Sequence, residues 1–188
     1  MMEAFLFSTF SVAIAEIGDK TQLLALVLAA RYRRFWPVAL GILVATLLNH
    51  GLAGWLGELL AGLMSPETQR WVIIASFVAV AIWALIPDKL DEDDKPATSS
   101  HGAFIATLIA FFLVEIGDKT QVATVILAAR YHDLLAVVGG STLGMLLANV
   151  PVVALGGRFA GKLPLHWARW AAAAIFLTLA VLLWLRVV

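Results

Sequence analysis

Six long apolar runs divide this chain, at about Ala4–Ala30, Trp36–Met64, Trp71–Pro87, Gly102–Ala129, Leu134–Ala160 and Trp167–Val188. A helix needs about 20 residues to cross the roughly 30 Å apolar layer of a bilayer, and these runs match that length. The breaks Arg31–Arg34, Ser65–Arg70, Arg130–Asp133 and Gly161–His166 are short and polar. The one long break, Asp88–His101, holds Asp91-Glu-Asp-Asp94 and then Lys-Pro-Ala-Thr-Ser-Ser, a composition that cannot bury itself and reads as a hydrated linker. Composition agrees that the solvent is lipid. Of 188 residues, 62% are hydrophobic and 14% charged, where a soluble domain has about 45–50% and about 25%. Mean hydropathy is +0.93. The fold class expected is an all-α integral membrane protein with six transmembrane helices. The start, Met-Met-Glu-Ala-Phe-Leu-Phe, is acidic rather than basic, so it reads as the first membrane helix and not as a signal peptide.

The chain repeats itself. Glu16–Tyr32 aligns with Glu115–Tyr131 at an offset of 99, with 12 of 17 positions identical. The register continues without a gap, so that Gly41 meets Gly140, Gly57 meets Gly156 and Trp71 meets Trp170. Residues 1–87 and 102–188 are therefore two three-helix repeats, joined by the linker 88–101. Three is an odd number of crossings, so the second repeat is expected upside down relative to the first. Lys and Arg set the orientation. One side carries Arg31, Arg33, Arg34, Lys89, Lys95, Arg158, Lys162 and Arg169, while the other carries only Arg70, Arg130 and Arg186. That bias puts the linker in the cytoplasm and both termini outside. Inverted three-span repeats are a recurring transporter plan, with the site near the midplane.

Zero net charge gives no reason to expect nucleic acid. With no cysteine, disulfides, thiolate metal sites and cysteine nucleophiles are excluded together. No triad, P-loop or dinucleotide fingerprint appears, so an enzyme is not expected.

The chemistry concentrates in Glu-Ile-Gly-Asp-Lys-Thr-Gln, present as Glu16–Gln22 and again as Glu115–Gln121. Glu16 stands about a dozen residues into its run, roughly 16–18 Å at 1.5 Å per residue, which is near the bilayer centre. On an unbroken helix Asp19 and Lys20 share its face, and Thr21 points to the back unless the helix unwinds. Charge at that depth costs about 2.5–3.5 kcal/mol per residue, so these groups must be paired or must bind something. One reading is a structural Glu–Lys bridge, though a buried ion pair rarely outdoes apolar packing. The other is an ion site. Glu16, Asp19, Glu115 and Asp118 bring four negative charges, and Lys20 and Lys119 balance two of them. One divalent cation neutralises the remainder, and so do two protons, because burial and crowding favour the neutral acid. The four carboxylates are the expected metal and proton-coupling groups, with the Gln22 and Gln121 amides as further metal ligands. Thr21, Thr120, Asn49, His50 and Asn149 are candidates to line the path. Hard oxygen donors suit calcium, magnesium or manganese. Gly18 and Gly117 either loosen the helix or admit a neighbouring helix.

This motif, found twice about a hundred residues apart in a six-span chain, closely resembles the signature of the Golgi-type calcium/manganese–proton antiporter family. The resemblance covers essentially the whole chain and takes the compact bacterial form. It implies efflux of Mn2+ or Ca2+ coupled to proton entry, carried by Glu16, Asp19, Glu115 and Asp118. The expected location is the bacterial inner membrane, no cofactor is expected beyond the transported ion, and the chain is expected as a monomer or homodimer. The competing functions are export of a small organic cation such as an amino acid, which would call for a larger aromatic-lined pocket, and a passive cation channel.

Beyond the motif, Asn49, His50 and Asn149 either line the ion path or form interhelical hydrogen bonds, and His50 aligns with Asn149. His101, His132 and His166 fall in breaks and read as solvated. Gly51, Gly54, Gly57, Gly140, Gly144, Gly157 and Gly161 read as close helix contacts.

Overall fold

The computed structural model describes residues 1–86, 102–155 and 165–186. Regular structure among them is entirely helical: α1 (Met2–Glu16), α2 (Lys20–Tyr32), α3 (Phe35–Gly62), α4 (Pro66–Ala84), α5 (Ala103–Glu115), α6 (Lys119–Tyr131), α7 (Leu134–Leu155) and α8 (Leu165–Trp184). The acidic linker Asp88–His101 lies outside the described residues, as do Gly156, Gly157 and Gly161.

Among the described residues the six expected runs form eight helices, because the first and fourth apolar runs are each broken within the motif. Gly18 has φ +83° and Gly117 φ +75°, a region open to glycine and costly for other residues. Ile17 and Ile116 are already extended, and helix resumes only at Lys20 and Lys119. Of the two readings of these glycines, loosening of the helix is the one observed; a Cβ on Gly117 would meet nothing within 4 Å. The single polar stripe expected on an unbroken helix is corrected by the same break. Individually, α3 and α7 are the described helices long and apolar enough to cross a membrane.

The halves interlock. The most extensive packing is α1 against α7, and α3 lies against both α5 and α6. Each half thus lays its long helix along the broken helix of the other. Glycine permits the approach: a Cβ on Gly140 would run into the Phe5 carbonyl, and one on Gly57 into the Val125 carbonyl. Gly54 and Gly144 also make close contacts, whereas Gly51, expected to do so, faces open space. One apolar cluster includes Phe77, Leu127 and Phe176, from α4, α6 and α8. A second includes Leu24, Leu28, Ile42 and Phe111, from α2, α3 and α5.

Polar contacts sort the helix ends. The Met1 amine is 3.1 Å from Asp133. Gln69 Nε2 donates to the Ala129 carbonyl at 2.6 Å, and Arg70 donates to the carbonyls of Leu183 and Trp184. The start of α1, the α3–α4 turn, the α6–α7 turn and the finish of α8 are therefore at one end. At the other, Arg33, Arg34 and Phe35 share a pocket with the last turn of α7. It follows that α1–α2 begins where α5–α6 finishes, and the two run in opposite directions. Large apolar side chains cover the outside, and five of the six exposed tryptophans among the described residues stand near helix ends, Trp36, Trp167 and Trp170 at one and Trp71 and Trp184 at the other, while Trp55 lies within α3. Tryptophan favours that position at a membrane interface.

Candidate functional site

Two broken helices place four helix ends around one buried volume. Glu16 and Glu115 close α1 and α5, whose carbonyl ends carry partial negative charge and favour a cation. Asp19 and Asp118 occupy the N-caps of α2 and α6, where the positive end of the helix favours a carboxylate. The Asp19 N–H donates to the Glu16 carbonyl, and the Asp118 N–H to the Glu115 carbonyl, each at 3.1 Å. The kink is thus the same in both halves.

The glutamines finish the kink. Gln22 Oε1 accepts from the Gly18 N–H at 3.0 Å, and Gln121 Oε1 accepts from the Gly117 N–H at 2.7 Å. Gln22 Nε2 also reaches across to the Ala148 carbonyl at 3.1 Å. Both amide oxygens, expected as metal ligands, are engaged with backbone.

The lysines cross between halves. Lys119 Nζ lies 3.0 Å from Asp19 Oδ2, and Lys20 Nζ lies 3.8 Å from Asp118 Oδ1. Each copy of the motif therefore offers the other a lysine and an aspartate, at unequal distances. Each lysine thus pairs with the opposite motif's aspartate.

Glu16, Asp19 and Asp118 are buried, and one ligand oxygen from each lies within 4.8 Å of the others. This is the group among the described residues that can hold a metal ion. The glutamates are held by α3 and α7. Asn149 Nδ2 donates to Glu16 Oε1 at 3.2 Å, and His50 Nε2 is 3.2 Å from Glu115 Oε1. The other imidazole nitrogen, Nδ1, is 2.9 Å from Ser141 Oγ. Glu16 Oε2 and Glu115 Oε2 are buried with no hydrogen-bond partner. Thr21 and Thr120 are fully buried, and Thr120 Oγ1 donates to Asp118 Oδ2 at 3.3 Å. Asn49 stands apart from this set and donates to the Phe112 carbonyl at 3.1 Å. Ser141 was not singled out from sequence; its one signal there is a hydroxyl inside an apolar run.

A buried carboxylate cluster fed by two antiparallel broken helices can bind a hard cation. Across residues 4–92 and 103–188 the chain matches the family described as "Divalent cation/proton antiporter GDT1". It belongs to the GDT1 family.

Curated GDT1-related sequences agree. The chain is 52% identical, over 96% of its length and 90% of the relative's, to a Vibrio cholerae protein named "Putative manganese exporter". It is 27% identical to GDT1-like protein sll0615 of Synechocystis over 98% of both chains. Identity to GDT1-like protein 3 of Arabidopsis thaliana is 26%, over 81% of this chain and 66% of that one. No solved structure matches the chain. The GDT1 family is one of transporters, so the expected class of function, cation/proton exchange, holds at family level.

Proposed function

We propose that this chain exports Mn2+, with Ca2+ as the alternative ion, from the bacterial cytoplasm in exchange for protons, by alternating access across the inner membrane. The observation that carries this reading is the set Glu16, Asp19 and Asp118, drawn from two separate helix breaks into one 4.8 Å group. Oxygen donors of this kind suit a hard divalent ion and equally accept protons, so either occupant neutralises the excess charge. The frame is six crossings in two inverted repeats, α1–α2, α3 and α4 against α5–α6, α7 and α8. Antiparallel broken helices and reciprocal Lys–Asp pairs support it. The basic end with Arg31, Arg33 and Arg34 faces the cytoplasm, and both termini face the periplasm. Manganese is favoured by the name of the Vibrio cholerae relative.

The test is uptake into proteoliposomes holding a pH-sensitive dye. Mn2+ movement against proton movement, driven by a pH gradient in either direction, is the expected result. Metal flux with no proton flux would identify a channel and overturn the exchange mechanism. Proton release by an amino acid, with none by Mn2+ or Ca2+, would identify the organic-cation exporter instead.

A further inference from the structure

The motif is identical in the two halves, yet its glutamates are not held alike. Positions 50 and 149 correspond at the offset of 99, and each reaches the glutamate of the opposite half. Position 149 is asparagine. Its Nδ2 contacts three acceptors, Glu16 Oε1 at 3.2 Å, the Met145 carbonyl at 3.1 Å and Met145 Sδ at 2.9 Å. Position 50 is histidine, fully buried, with its ring held at both nitrogens by Ser141 and Glu115. The residue corresponding to Ser141 is Ile42, which offers Asn149 no such anchor.

The consequence is visible at the acids. Glu16 lies within the 4.8 Å group with Asp19 and Asp118, and Glu115 does not belong to it. Glu115 Oε2 is as free of hydrogen-bond partners as Glu16 Oε2, so its exclusion comes from position and not from a shortage of lone pairs.

We propose that the cation binds off the twofold axis, on Glu16, Asp19 and Asp118, and that His50 is a positioning residue that holds Glu115 out of the ligand set. This rests on the acidic cluster being the transported-ion site. A hydrogen bond to a carboxylate is among the stronger ones, and it is stronger still away from water. Ser141 fixes the ring that makes it. The neutral Asn149 amide, shared among three acceptors, restrains Glu16 less and leaves it able to turn toward an ion.

Mn2+ binding to the purified full chain in detergent, at one fixed pH, tests this. Glu16→Gln is expected to weaken binding by about tenfold or more, and Glu115→Gln by less than about threefold. Should Glu16→Gln fail to fold, Asp118→Asn takes its place. His50→Asn, which puts into α3 the residue α7 carries at the corresponding position, frees Glu115 to join the ion. In that background Glu115→Gln is expected to become costly, so the two changes are strongly non-additive. A merely structural His50 would leave them additive, and that result overturns the positioning role. Equal losses from Glu16→Gln and Glu115→Gln overturn the off-axis site while leaving the acidic cluster as the ion site. If neither variant, nor Asp118→Asn, weakens binding, the cluster itself is not the ion site and the inference falls with it.

Discussion

Lys119 of α6 places its ammonium 3.0 Å from the carboxylate of Asp19, the N-cap of α2, and both side chains are buried. The corresponding pair, Lys20 with Asp118, is longer at 3.8 Å, and its lysine is 23% exposed. Removing one partner of a buried pair strands the other, at a cost of about 3–5 kcal/mol. Lys119→Met is therefore expected to lower the melting temperature of the metal-free protein well below that of Lys20→Met. Added Mn2+ should recover much of the loss, since a cation can take the place of the ammonium and ligand binding stabilises the folded state. Equal melting temperatures for the two variants would contradict the asymmetry of the pairs.

Close contact between the halves depends on glycine. Gly140→Ala and Gly57→Ala each drive a methyl group into a backbone carbonyl, and are expected to cost about 1–3 kcal/mol. Gly51→Ala, in the same helix as Gly57 but with nothing within 4 Å, is expected to be neutral or to stabilise by about 0.5–1 kcal/mol. Thermal melting in detergent separates them, and a destabilised Gly51→Ala would count against this packing.

Gln22 and Gln121 are expected to act by holding the kink. Replacing Gln22 by Leu deprives the half-buried Gly18 N–H of its acceptor, at about 1 kcal/mol or more, while the Gly117 N–H that Gln121 accepts from is exposed and loses less. Gln22→Leu should cost more, because it also loses the bond to Ala148. Stability and transport rate should fall while Mn2+ affinity changes little. A large drop in affinity with unchanged stability would instead make the glutamines ion ligands.

Exchange requires protons and metal to compete for the same carboxylates. Metal binding then releases protons, and affinity falls as pH is lowered from about 8 to about 5. Proton release per Mn2+ bound, measured in weakly buffered solution, gives the sign directly. An affinity flat across that range with no proton release would remove the exchange mechanism.

The chain lacks cysteine, so single cysteines report topology without background. Arg33 and His132 correspond at the offset of 99, and both close a helix in the left-handed region, with φ of 51° and 50°. In an inverted repeat, Arg33→Cys is labelled from the cytoplasmic side and His132→Cys from the other. Labelling of both from the same side would show the repeats to be parallel.

Much of this protein is written in one dimension. Apolar run length and the offset of 99 are properties of consecutive residues, so the helical class, the two halves and the acidic motif are legible without coordinates. Family membership is legible for the same reason. What a linear reading misplaced is the interior of the motif. A helical wheel assumes an unbroken helix, while two positive-φ glycines break it and turn Asp19 and Asp118 into N-caps. Pairing was beyond the reach of spacing altogether. Lys119 meets Asp19 and Asn149 meets Glu16 because the halves interlock, and contacts between residues a hundred or more positions apart depend on how helices cross, not on their order. The exchange of asparagine for histidine between positions 149 and 50 was visible as a difference between the repeats. Only tertiary packing, which brings Ser141 against one ring nitrogen and Glu115 against the other, gives that difference a consequence at the carboxylates.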